Sequence, residues 1–264
     1  MNILIPTDFC ELGGFAYDLA RKILKVVPES NIHFVHVVDI PEDESYEGKD
    51  FTSWKEEAQL KMNQWLEKYP AEGHVYMGHM TDQILQAQAD LNINLMVLGN
   101  AAREGLKEIF STNETTILAR KGNAPVLSLM CDRSDMHVEK FLFLHNFLED
   151  IKADVSMMKV LSKVCGAEIH FLQVDKDHKR KDEVMAAMAQ FAKDHDLEVA
   201  QKHICSKSDV EKGLVEFIQE KHFDVIVQGT FVNHNLVQKV MGSISESILN
   251  HVHKPILTFK MEGK

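Results

Sequence analysis

Short apolar runs alternate with longer amphipathic stretches along the whole chain, and this alternation points to a class of fold before any chemistry is considered. The runs are nearly continuous and rich in β-branched residues, as expected of parallel strands covered on both faces. They predict strands at 2–6, 32–38, 74–78, 94–98 and 125–129, and again at 140–144, 168–174, 198–204, 223–228 and 255–259. Between them apolar residues recur at helical spacing. Ala16, Leu19, Ala20, Ile23 and Val27 share one face, and Trp54, Ala58, Met62, Trp65 and Tyr69 share another. The corresponding stripe later in the chain is Val184, Met188, Phe191 and His195. Each stripe is expected to cover the sheet rather than to hold a cofactor.

The pattern of elements occurs twice because the sequence itself does. Residues 2–9 (NILIPTDF) resemble 140–147 (KFLFLHNF), and 32–37 (IHFVHV) match 169–174 (IHFLQV). In the same order, 95–99 (LMVLG) match 225–229 (VIVQG), and 124–127 (APVL) match 254–257 (KPIL). The second copy is shorter where the acidic stretch 41–49 has only 175–179 as its counterpart. Two α/β domains are therefore expected, at 1–130 and 138–260, with a short polar linker at 131–137.

Composition narrows the function classes. With 264 residues, 45% hydrophobic and 26% charged, the chain has the balance of a packed soluble protein. Its net charge of −11 and the absence of a long Lys/Arg block argue against a nucleic-acid partner. The basic cluster at 176–181 is broken by Asp177 and followed by Asp182 and Glu183, which reads as a solvated helix start. Cys10, Cys131, Cys165 and Cys205 form no C-x-x-C pair, so neither a disulfide framework nor a zinc ribbon is expected, and a reducing cytoplasm suits them. No window approaches the roughly 18 apolar residues of a membrane span. No membrane association is expected.

In an open parallel sheet, ligands bind outside the carboxyl ends of the strands where the strand order changes direction. The residues to inspect there are 6–8 (PTD) and 99–105 (GNAAREG), with Asp8 and Gly99, and in the second copy 144–146 (LHN) and 229–233 (GTFVN), with His145, Asn146 and Gly229. A carboxylate such as Asp8 accepts hydrogen bonds from a ribose or a base, and a glycine lets a ligand approach the backbone. Gly242 and Ser243 open an amphipathic run, so amides at a helix start beside a hydroxyl would face an anion; an ordinary helix cap is the plainer reading. The fourteen histidines show no helical i, i+4 pair beside an acid, and no metal site is expected. Walker, G-x-G-x-x-G and G-x-S-x-G motifs are missing, and no catalytic nucleophile is nominated.

Taken together, the opening ILIPTDF, the glycine closing strand four, the Gly-Ser helix start and the final small-Pro-Val/Ile-Leu strand resemble the universal stress protein family, in both halves. The resemblance implies two tandem five-stranded parallel sheets of the Rossmann-like, adenine nucleotide alpha hydrolase type. It further implies an internal pseudo-dimer in which the last strands, 126–129 and 256–259, pair, and a homodimer of chains as a common further arrangement. ATP or AMP is the implied ligand. The family signature, G-x2-G-x9-G-S/T, is broken in each half. The first keeps Asp8 and Gly99 but has Ala102 at the second glycine and Thr112 and Asn113 at the Gly-Ser pair. The second keeps Gly229, Gly242 and Ser243 but has Val232 at the second glycine and Asn146 at the aspartate. Because helix-start amides and a hydroxyl meet phosphate charge, a nucleotide is expected to favour the second half. The expected role is a non-catalytic cytoplasmic stress or signalling protein. Two alternatives stand beside it: an interaction module with degenerate crevices, and an ATP-cleaving or adenylating enzyme of the same superfamily.

Overall fold

The computed structural model describes residues 1–25, 27, 29–40, 50–100, 112–130, 138–149, 151–174, 180–205, 210–231 and 254–263. The chain divides into two compact units, Met1–Ser134 and Asp135–Lys264. In the first, the strands are β1 (Asn2–Pro6), β2 (Asn31–Asp39), β3 (Glu72–Gly78), β4 (Leu95–Asn100) and β5 (Val126–Met130). They pair in parallel in the order β3, β2, β1, β4, β5. The chain moves outward in one direction from β1 and then in the other, so the order reverses between β1 and β4. The helices are α1 (Glu11–Leu24), α2 (Thr52–Lys68), α3 (Met80–Asp90) and α4 (Thr112–Lys121).

Burial explains the nearly continuous apolar runs. Ile3, Leu4 and Ile5 of β1 and Leu95, Met96, Val97 and Leu98 of β4 are all fully buried, so both faces of the central strands are covered. Each such side chain contributes about 1.5–3 kcal/mol. Ala16, Leu19, Ala20 and Ile23 of α1 are buried as the stripe requires, but the helix stops at Leu24 and Val27 beyond it is only half buried. Ala58 and Met62 of α2 are buried too, whereas Trp54, in the first turn, is exposed and meets Phe51 edge-on at 5.2 Å. Helical spacing placed Trp54 on the inner face; so close to the helix start, that face has already run past the sheet. Deeper along it, Trp65 and Tyr69 join Tyr17 and Phe34 in an aromatic cluster, and the Tyr17 hydroxyl donates to the Pro70 carbonyl at 2.9 Å.

In the second unit the strands are β6 (Lys140–Leu144), β7 (Ile151–Ala153), β8 (Glu168–Val174), β9 (Val199–Cys205), β10 (Val225–Phe231) and β11 (Ile256–Gly263). Five of them repeat the parallel order: β9, β8, β6, β10, β11. The helices are α5 (Ser156–Cys165), α6 (Lys181–Asp194) and α7 (Val210–Lys221). Val184 and Met188 of α6 are fully buried; Phe191 and His195 are partly buried, their rings tilted to one another at 4.3 Å.

Each unit ties the start of its first strand to the turn before its fourth in the same way. Asn94 Oδ1 accepts from the Asn2 amide at 2.8 Å, and Asp224 Oδ2 accepts from the Glu139 and Lys140 amides at 2.9 and 3.0 Å.

The units differ at one place that the repeat did not foretell. β7 is a short strand with no counterpart among the described residues of the first unit, and it pairs antiparallel with the end of β11 through Ala153 and Met261. β11 runs on to Gly263, beyond the expected end at 259. The helix that follows β7 also starts late. α1 begins at Glu11, directly after the turn that follows β1, but α5 begins only at Ser156.

Candidate functional site

In the first unit the chain leaves β1 through Thr7, Asp8, Phe9 and Cys10, beside the point where the strand order reverses. Thr7 is buried; its amide donates to the Val35 carbonyl and its Oγ1 accepts from the Phe9 amide, both at 2.9 Å. Phe9 has φ +68, a left-handed conformation that is uncommon for a bulky side chain and marks local strain. Ring contacts hold it there, with His36 at 4.5 Å and Trp65 at 6.2 Å. His36, on β2, lies 2.8 Å through Nδ1 from the Thr7 carbonyl, and burial holds its imidazole below the usual range. The outcome is a braced turn that presents Asp8 to solvent. Asp8 is exposed, and its Oδ1 accepts from the Cys10 amide at 3.0 Å. Burial first, and then the Asp8 carboxylate, push the Cys10 thiol up to about 11, so it stays protonated at neutral pH.

Gly99 lies inside β4, one residue before its end rather than after the strand as expected, and its lack of a side chain is used by the chain itself. A Cβ there would come within 2.8 Å of Leu12 Cβ and 3.1 Å of the Leu12 carbonyl oxygen, in the first turn of α1. The sequence suggested a ligand approaching this glycine; on the side a Cβ would point, it is a helix. Thr112 begins α4, while the side chains of Thr112 and Asn113, and Ala102 altogether, lie outside what the structure describes.

The equivalent turn in the second unit is built differently from equivalent residues. His145 replaces Thr7 and is buried, its ring 5.4 Å from Phe143, 5.1 Å from Phe147 and 5.2 Å from Phe191. Burial, with His195 nearby as a lesser cause, lowers its imidazole to about 4, so it is neutral. Asn146 takes the place of Asp8 and is half buried. Its Nδ2 donates to Glu149 Oε1 at 2.6 Å and its Oδ1 accepts from the Leu148 amide at 3.3 Å, so both ends of the amide are engaged within the turn. Gln173 takes the place of His36 and accepts from the Phe147 amide at 2.9 Å. Gly229 is again a packing glycine: a Cβ there would overlap the Met261 side chain, which is fully buried against it. Met261 occupies the position that Leu12 holds beside Gly99. Gly242, Ser243 and Val232 lie outside the described residues.

Sequence reasoning placed His145 at the crevice without giving it a role, and missed His36 and Met261 there. His36 was within reach, because 36 and 173, like 7 and 145, fall at matching places in the repeat. Met261 was not, because it lies beyond the expected end of the last strand and meets Gly229 through the pairing of β10 with β11.

The sequence profile of the universal stress protein family matches residues 1–129 and 159–260. The stretch between the matches contains β6, the His145–Asn146 turn and β7, which is where the second unit departs most from the first. Among solved structures, a universal stress protein from Archaeoglobus fulgidus is 18% identical with a TM-score of 0.70, covering 98% of each chain. A putative universal stress protein from Pseudomonas aeruginosa is 16% identical with a TM-score of 0.66, covering 98% of this chain and 93% of that one. The cytoplasmic domain of a prokaryotic cation chloride cotransporter is 11% identical with a TM-score of 0.56, covering 97% and 94%. At these identities the likeness is one of fold. Comparison with curated proteins gives no significant match.

Proposed function

Because the chain belongs to the universal stress protein family, we propose that its first half holds an adenine nucleotide, ATP or AMP, and that it acts in the cytoplasm by binding and signalling rather than by catalysis. The observation that carries this reading is the contrast between Asp8 and Asn146. Asp8 stands exposed at the carboxyl end of β1 on a turn braced by Thr7, Phe9 and His36, with one oxygen engaged locally. Asn146 is half buried, and both ends of its amide are engaged. A carboxylate in the first position suits ribose hydroxyls or a base amine, each such charged hydrogen bond being worth about 1.5–3 kcal/mol. This reading favours the half opposite to the one the Gly-Ser signature favoured.

The second half suits the interaction-module reading, since Met261 fills the space beside Gly229 and His145 sits among aromatic rings. Calorimetric titration of the full chain with ATP and with AMP tests the assignment. Asp8→Ala is expected to weaken binding by at least about tenfold, and Ser243→Leu to leave it unchanged. Loss of binding on Ser243→Leu with Asp8→Ala silent would return the site to the second half, and no binding by the wild-type chain would leave the interaction module. The same reading includes pairing of the last strands of the two halves, supported by the matched apolar pattern at 126–129 and 256–259, and a homodimer of chains. Slow amide exchange along both strands and a dimeric sedimentation coefficient are the expected results. No described helix is long and apolar enough to cross a membrane.

A further inference from the structure

Both units carry a histidine pair at the same place in the sheet, and only in the first does a carboxylate converge on it. His33 lies near the start of β2. On β3, Glu72 is directly opposite His33, and His74 is opposite Val35, two residues further on. The two-residue period of strands puts all three side chains on one face. His33 Nδ1 is 3.2 Å from His74 Nε2 and 3.4 Å from Glu72 Oε2, and the three donor atoms lie within 4.8 Å of one another.

Protons alone serve this arrangement poorly. A proton on His33 Nδ1 is donated either to His74 or to Glu72, and a proton on His74 Nε2 leaves Glu72 facing a lone pair. A cation at the centre satisfies all three atoms together. The spacing fits one as well: metal–ligand bonds of about 2.0–2.2 Å in tetrahedral geometry set ligand atoms roughly 3.3–3.6 Å apart. His33 is buried while the Glu72 side chain is largely exposed, so the site opens to solvent at its rim.

The second unit serves as an internal comparison. His170 Nδ1 lies 3.2 Å from His203 Nε2, and His203 is again opposite the residue two beyond its partner, Leu172. The residue opposite His170, however, is Gln201. The carboxylate comes instead from Glu168, on the same strand as His170, and reaches the other ring nitrogen, Nε2, at 3.3 Å. There the carboxylate braces the ring, and the three donors do not meet.

We propose that His33, His74 and Glu72 form a site for a divalent transition-metal ion of the zinc type, with a fourth position open to water, at the end of the sheet remote from Asp8. Two imidazoles and one carboxylate are a donor set that zinc accepts with an open position. The ion would tie β3, the outermost strand of the first unit, to β2, so binding should stabilise this unit by mass action.

Metal-stripped full-length protein titrated with Zn²⁺ by calorimetry, and with Co²⁺ followed by visible absorption, tests the site. The expected result is one ion per chain, a tetrahedral Co²⁺ spectrum and a raised thermal midpoint. Glu72→Gln and His74→Ala change residues at the rim, and circular dichroism checks that they fold. Each should weaken Zn²⁺ by at least the roughly 10–100-fold that even an outer-shell partner costs, while His203→Ala should bind as wild type does. No Zn²⁺ binding by the wild-type chain, unchanged binding in His74→Ala, or binding lost in His203→Ala would each overturn the proposal.

Discussion

Replacing Gly229 with alanine puts a methyl group where the Met261 side chain already lies. The new Cβ would overlap Cγ, Sδ and Cε of Met261, which is fully buried. Overfilling a packed site of this kind costs about 1–3 kcal/mol, and truncating Met261 to alanine costs about 2–5 kcal/mol through lost contacts and a cavity. In the double variant the methyl group enters space that Met261 has vacated, so the two losses should fall short of their sum by about 1–3 kcal/mol. The matching pair in the first unit should behave otherwise. A Cβ at Gly99 meets Leu12 Cβ at 2.8 Å and the Leu12 carbonyl oxygen at 3.1 Å, and Leu12→Ala removes neither atom. Urea unfolding followed by far-ultraviolet circular dichroism, with m-values compared and each unit's transition fitted separately, measures both cycles. If Gly229→Ala is equally destabilising with and without Met261, the glycine is not there for Met261, and a reason involving a ligand regains its place.

Two further outcomes follow from local geometry. His145 is held neutral by burial, with its imidazole lowered to about 4, so the unfolded chain takes up a proton that the folded chain refuses as the pH falls below the ordinary 6.5. Stability should be full above that value and decline by about 3 kcal/mol between pH 6.5 and 4. His145→Phe should remove that part of the slope in pH-dependent urea titrations, and an unchanged slope would refute the assignment. Asp224→Ala removes a charged acceptor serving two amides and should cost about 1.5–3 kcal/mol, against roughly 0.5–1.5 kcal/mol for Asn94→Ala, which serves one; equal losses would show that the second amide contributes nothing.

The candidate site was legible in part. Asp8 and Gly99 were singled out because they follow strands one and four, and the structure brings both to that end of the first sheet. What Gly99 does there was not legible. Its neighbour, Leu12, is 87 positions away in the chain, and only the docking of α1 on β4 shows that the missing Cβ makes room for a helix. The histidine cluster escaped for a related reason. Ligand motifs were sought at helical spacing, whereas His33 and His74 meet across two strands, at a distance set by pairing register rather than by sequence interval.

By itself the sequence determined the duplication, the ten principal strands and most of the buried faces of α1, α2 and α6. These depend on the period of apolar residues, which reports how a segment meets the core whatever else it touches. Only the tertiary structure decided how the two copies differ. The three residues of β7 are too few to carry a period, and they form a strand only by pairing with the end of β11. Through that pairing β11 runs on to Gly263, and α5 begins only at Ser156. At the first turn Asp8 is exposed where Phe9 meets rings from β2 and α2, and at the second His145 is buried against Phe191 of α6, a difference set by contacts between segments remote in sequence.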